Sequence, residues 1–111
     1  MNRLLPVCAF ALSLTSALAI ATPDRMEEGR KAYDKVCAKC HNTGIMGAPA
    51  FGTPDDWEER SELWEGVLFE HANKGWVAMP PKGGDPSMSE YDVDAAAEYL
   101  LTKSHPKLLA D

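Results

Sequence analysis

The chain has 111 residues, a formal net charge of −6, 45% hydrophobic residues and three cysteines. That length suits one domain, and the acidic balance argues against nucleic acid as a partner. Three cysteines are too few for a disulfide-stapled scaffold.

The N-terminus, Met1-Asn2-Arg3, leads into an apolar run from Leu4 to Ala21 that closes with Ser16-Ala17-Leu18-Ala19-Ile20-Ala21. A basic start, an apolar middle and small residues before the cut describe a secretory signal peptide over 1–21, with cleavage after Ala19 or Ala21. Residues 22–111 then form one domain. Pro6, Ser13, Thr15 and Ser16 weaken the run as an uncleaved anchor, and Leu5-Pro6-Val7 lacks the small residues expected before a lipidated Cys8. Leader removal takes Cys8 with it, so the exported chain keeps Cys37 and Cys40 and has no cysteine left for a structural disulfide. A chain of roughly ninety residues buries only about 60% of its unfolded surface, so a large apolar cofactor at its centre would complete the core.

Asp24 with Glu27 forms a capping box, and Met26, Gly29, Tyr33, Val36 and Cys37 follow at three- and four-residue steps. A first helix is expected from Asp24 to Lys39. It runs into Cys37-Ala38-Lys39-Cys40-His41, the spacing at which two thiols bond covalently to one haem and the adjacent imidazole becomes an iron ligand. A zinc knuckle needs two further Cys or His ligands, and the chain offers only the isolated His71 and His105. A thioredoxin-like Cys-x-x-Cys follows a strand, and no strand pattern precedes Cys37.

From Asn42 to Gly52 the chain is rich in Gly, Pro and Ala, which indicates irregular backbone wrapped against another part of the protein. Thr53-Pro54 reads as an N-cap with proline at the first helical position of a short turn carrying Trp57. A helix around Ser61 to Asn73 follows, with Leu63, Trp64, Val67, Leu68 and Ala72 inward and Gly75 as a stop. Trp76 to Pro86 is too rich in Pro and Gly for regular structure. Ser87 with Glu90 is expected to cap a last helix, with Val93, Ala96, Ala97 and Leu100 inward, ending before Pro106. Period-two alternation is absent throughout, so the expected fold is all-α.

The sixth iron position decides between electron transfer and ligand chemistry. Met79, in Trp76-Val77-Ala78-Met79-Pro80-Pro81, is far enough from His41 in sequence to reach the other face of a porphyrin, and the prolines stiffen its loop. Met46 is too near His41, while Met26 and Met88 sit on or beside helices, where methionine is core filler. His71 reads as a hydrogen-bonded or surface group. A neutral thioether favours ferrous iron and closes the site to substrate. The other nitrogen of the His41 ring needs an acceptor, and a carbonyl in Gly47-Ala48-Pro49 is placed to supply it.

These residues resemble the class I cytochromes c, in particular the small bacterial cytochrome c-five group. The likeness rests on Cys37 to His41, on Gly47-Ala48-Pro49-Ala50-Phe51-Gly52, on Trp57 with Arg60, and on Phe69-Glu70-His71 running on to Ala78-Met79-Pro80-Pro81-Lys82-Gly83-Gly84. The resemblance implies four or so short helices wrapped around one covalent haem c, with His41 and Met79 as axial ligands. It also implies a crossing of Gly29 and Tyr33 with the last helix near Tyr99, and puts Trp57 and Arg60 near the haem propionates. Many relatives carry a cysteine pair just after the Gly-Gly. Asp85 to Ser89 contains none, so that stretch is expected to be less constrained.

The function implied is a periplasmic one-electron carrier of a respiratory chain, not itself an enzyme. Its partners would be a membrane oxidoreductase and a terminal oxidase or reductase, with no stable membrane insertion after leader removal. Two alternatives stay open: a haem protein whose sixth site opens for peroxidase-like chemistry or gas binding, and a haem subunit of a larger complex.

Overall fold

The first helix grows from Asp24, whose carboxylate accepts the Met26 N–H at 3.0 Å. In the computed structural model, which describes residues 24–58, 60 and 65–109, it begins as α1, Arg25–Ala32. The expected leader and the first turn of the expected third helix, 61–64, lie outside the described residues. Glu27 pairs with Arg30 at 2.6 Å, and Glu28 joins it in the first turn, where carboxylates suit the positive end of the helix dipole.

The rod then departs from the even helix expected from Asp24 to Lys39. Tyr33–Cys37 is a π turn, with the Ala38 N–H reaching back five residues to the Tyr33 carbonyl, and α2, Ala38–His41, continues it. One extra residue is thereby fitted into a turn, which changes the direction in which everything after Cys37 points.

Three further helices follow: α3, Pro54–Glu58; α4, Glu65–Lys74; and α5, Glu90–Ser104. Proline opens α3 as expected, and Gly75, at φ +85°, ends α4 by donating its N–H to the His71 carbonyl at 2.8 Å. The last helix is capped differently from the expectation. Ser89, not Ser87, accepts the Asp92 N–H at 3.1 Å. Ser87 is engaged elsewhere, donating its O–H and N–H to Asp85 Oδ1 at 2.5 and 3.0 Å. The stretch from Gly84 to α5, expected to be less constrained than in relatives with a cysteine pair there, is held in this chain by those bonds and by Lys82 Nζ donating to the Met88 carbonyl at 2.6 Å.

The core sits where α1 crosses α5. A Cβ placed on Gly29 would lie 2.1 Å from the Ala95 carbonyl oxygen and 3.1 Å from Tyr99 Cβ, so the two backbones meet as closely as glycine permits. Around that point Tyr33, Val93, Ala96, Leu100 and Leu101 are buried, and Tyr33, Phe51 and Tyr99 pack with ring centroids 5.3 to 5.7 Å apart. Arg25 bonds Glu98 at 2.5 Å and lies over the Tyr91 ring at 4.9 Å, a second tie between the same two helices. The Gly83 turn meets the rod from another side, since a Cβ there would come within 2.8 Å of Val36 Cγ1.

Gly29→Ala forces α1 and α5 apart and is expected to cost about 3 kcal/mol or to abolish folding, read from the denaturant midpoint, because overpacking against backbone relaxes poorly. The bonds from Ser87, its hydroxyl foremost, hold the Asp85 carboxyl below the usual aspartate range. A depressed carboxylate stabilises the fold above its unfolded pKa and loses that effect as pH falls through the folded value. Ser87→Ala should therefore raise the Asp85 titration midpoint in an NMR pH series. The stability advantage of wild type over the variant should fade below about pH 4.

Candidate haem site

Cys37, Cys40 and His41 share one helical rod, the thiols half-buried and unpaired, the imidazole buried. Burial foremost pushes the Cys37 thiol up to about 11. It therefore stays a neutral thiol at ordinary pH and does not behave as the activated thiolate of a redox motif.

The Asn42–Gly52 segment closes around His41. His41 Nδ1 lies 2.8 Å from the Pro49 carbonyl oxygen, within the Gly47-Ala48-Pro49 stretch from which an acceptor was expected. A carbonyl can only accept, so Nδ1 carries the proton and Nε2 keeps its lone pair for a metal. Burial foremost, with the Arg60 charge adding to it and the Pro49 bond opposing it, moves the His41 pKa below its usual value, so the ring is neutral near pH 7. The backbone returns on the same residue, with the Phe51 N–H donating to the His41 carbonyl at 2.6 Å.

Trp57 and Arg60 lie on this side of the site. The buried Trp57 ring stacks beside His41, centroids 5.8 Å apart and planes 22° apart, and its Nε1–H donates to the Ala50 carbonyl at 3.0 Å. Exposed Arg60 donates to the carbonyls of Asp56 at 3.2 Å and Gly47 at 3.1 Å. Asp56 Oδ2 accepts the Ala50 N–H at 3.1 Å, and the buried Ser104 hydroxyl accepts the Gly52 N–H at 2.8 Å. A segment whose regular structure among these residues is a single 3₁₀ turn, Ile45–Gly47, is thus held through its main-chain groups.

Met79 is half-buried on a two-residue turn after α4. Trp76 and Met79 exchange backbone N–H···O bonds, both 2.9 Å, and Val77 between them sits at φ 53°, an unfavourable conformation for a β-branched residue that costs about 1–3 kcal/mol. Pro80, extended at φ −72° and ψ 157°, leads into a 3₁₀ turn, Pro81–Gly84. Met88 is buried in the core, and Met46 is exposed at φ 55° on the turn after α2.

The pairing of His71 with Trp76 was not foreseen from the sequence. Their rings are parallel within 5° at 4.0 Å, across the end of α4. A histidine and a tryptophan five residues apart with a helix-ending glycine between them was the available signal.

Among the described residues no three His, Cys, Asp or Glu side chains gather as a metal cluster, as a zinc knuckle would require. Two thiols and an imidazole with a fixed proton on Nδ1 fit a haem held by thioethers. The family model described as "Cytochrome C oxidase, cbb3-type, subunit III" matches residues 24–100.

The chain belongs to the class I cytochromes c.

This cytochrome c is 35% identical over 80 residues to cytochrome c-555 of Chlorobaculum thiosulfatiphilum, a match covering 68% of this chain and 93% of that one. It is 33% identical over 86 residues to cytochrome c-555 of Prosthecochloris aestuarii, covering 70% and 87%. Cytochrome c551 of Ectothiorhodospira halophila matches with a TM-score of 0.57 and 32% identity over 68% of this chain and 97% of that one. A solved electron transfer complex of nitrite reductase with cytochrome c contains a chain that matches with a TM-score of 0.65 and 31% identity, covering 70% of this cytochrome and 95% of that chain. The all-α architecture expected from the sequence is the cytochrome c fold, and the family is one that binds haem c.

Trp57→Phe removes the indole donor from the half-buried Ala50 carbonyl, which keeps the Thr53 N–H at 3.3 Å, and is expected to destabilise the protein by about 1 kcal/mol in chemical denaturation.

Proposed function

We propose that this cytochrome carries single electrons through one haem c bound by thioethers to Cys37 and Cys40, with His41 and Met79 as the axial ligands. When bound, the haem supplies a one-electron Fe(III)/Fe(II) couple. The rest is the work of the chain's own residues. Cys37 and Cys40 tether the cofactor to a rod fixed against α5. His41 presents Nε2 because Pro49 occupies Nδ1, and that hydrogen bond beside two unpaired thiols is the observation that carries the reading. Met79 offers a soft neutral donor on a turn whose freedom Pro80 and Pro81 restrict, which suits a ligand set that stays closed through both oxidation states.

Export of residues 22–111 by the 1–21 leader places the carrier in the periplasm. No helix among the described residues is long and apolar enough to cross a membrane. The surface, with a chain charge of −6, suits docking onto basic patches of redox partners. The related cytochrome in complex with nitrite reductase supports a terminal reductase as one such partner and a place in a respiratory chain. The family model's description favours a second reading, a haem subunit fixed within an oxidase-type complex. Purification at native abundance separates the two: a carrier elutes alone, a subunit elutes with its complex.

Intact mass and a pyridine haemochrome spectrum of the exported protein should show a chain starting after residue 19 or 21 with one covalent haem. Wild-type ferrous protein should not bind carbon monoxide at neutral pH, and Met79→Ala should. Ready binding by wild type would favour an openable sixth site over the carrier.

A further inference from the structure

The turn that bears Met79 does not hold itself together. Val77 occupies a left-handed conformation that its branched side chain resists. The reciprocal Trp76 and Met79 backbone bonds close the turn against that strain.

What lies outside the turn is firmer. The Trp76 ring is laid flat on His71 at 4.0 Å. His71 belongs to α4, and α4 is fastened to α5 through Asn73, whose Nδ2 donates to Asp94 Oδ1 at 2.8 Å and to the Phe69 carbonyl at 2.9 Å. Gly75 brings the parts together. A Cβ there would come within 2.9 Å of the Met79 carbonyl oxygen and 3.0 Å of the Pro81 nitrogen, so the end of α4 is pressed against the residue that follows the turn.

We infer that the stack of Trp76 on His71 is a clamp that keeps the Met79 sulfur in place for the iron, an inference resting on the axial role assigned to Met79 above. Trp76 is a positioning residue. Its ring, anchored through α4 to α5, holds the Trp76 backbone, and the Trp76 backbone holds that of Met79. Without the stack the strained turn relaxes, the thioether leaves more often, and an external ligand competes with it.

The test uses the haem-loaded protein, with imidazole as the competing probe on the ferric form and the methionine-to-iron charge-transfer absorption as the direct signature. Trp76→Ala and His71→Ala should each weaken that absorption, lower the reduction potential and raise imidazole affinity on the order of tenfold, since affinity follows the fraction of molecules with the position open. Trp76→Phe keeps a ring that can stack and should return imidazole affinity to within about threefold of wild type. Should Trp76→Ala not fold, His71→Ala decides, because it removes the opposite ring from a helical position that alanine tolerates. Wild-type imidazole affinity and absorption in the alanine variants, even with a lowered Tm, would show the stack to be structural only and overturn the inference. A Met79→Ala protein that behaves as wild type, or a wild type lacking the absorption, overturns the ligand assignment instead.

Discussion

The contact between Gly29 and Ala95 is the constraint on which the rest depends. A chain this small has few buried side chains, and it gains density by letting two helices touch backbone to backbone. Tyr33 lies one turn on from that contact, buried among Phe51 and Tyr99, with its hydroxyl donating to Asn42 Oδ1 at 2.6 Å. Burial raises the pKa of that phenol, so it remains a donor throughout the physiological range. One side chain thus ties the helix before the haem motif to the loop after it, and Ser104 ties the same loop to α5 through the Gly52 N–H.

The two sides of the site are built by different physics. On the histidine side, successive carbonyls and amides of an irregular loop each find a partner, so the ring has one orientation and one tautomer. On the methionine side the backbone is strained at Val77 and at Lys82, φ 53° in both, and is held by neighbours. A firmly bonded side beside a strained, externally supported one fits the His41 and Met79 ligation proposed above.

Much of this was legible in the sequence because it is written locally. Asp24 as a cap, proline opening α3, Gly75 ending α4 and Cys-x-x-Cys-His each act within a few residues, and the resemblance located the Gly29 crossing. The need for an acceptor behind His41 follows from imidazole chemistry, and Pro49 was within the named tripeptide. What stayed hidden involved competition or conformation against type. Ser87 and Ser89 offer the same hydroxyl, and Asp85, two residues before Ser87, captures one and leaves the other to cap α5. Nothing about Val77 announces a left-handed turn, so the pairing of Trp76 with Met79 is set by what surrounds it. The resemblance puts Trp57 and Arg60 near the haem propionates; the fold adds that both donate to main-chain carbonyls of the 47–56 stretch, partners that no local pattern in the sequence marks.

The π turn at Tyr33–Cys37 carries a consequence for how such a chain can change over time. Each residue of a regular helix advances the facing direction by about 100°, so a turn that absorbs one extra residue leaves both thiols and the imidazole on the face that a regular helix one residue shorter would give them. Losing one residue from the widened turn would restore ordinary α bonding with the motif still in line with the core, whereas the same loss from α1 would swing the motif by about 100°. The widened turn is thus where this rod can shed a residue and keep its phase.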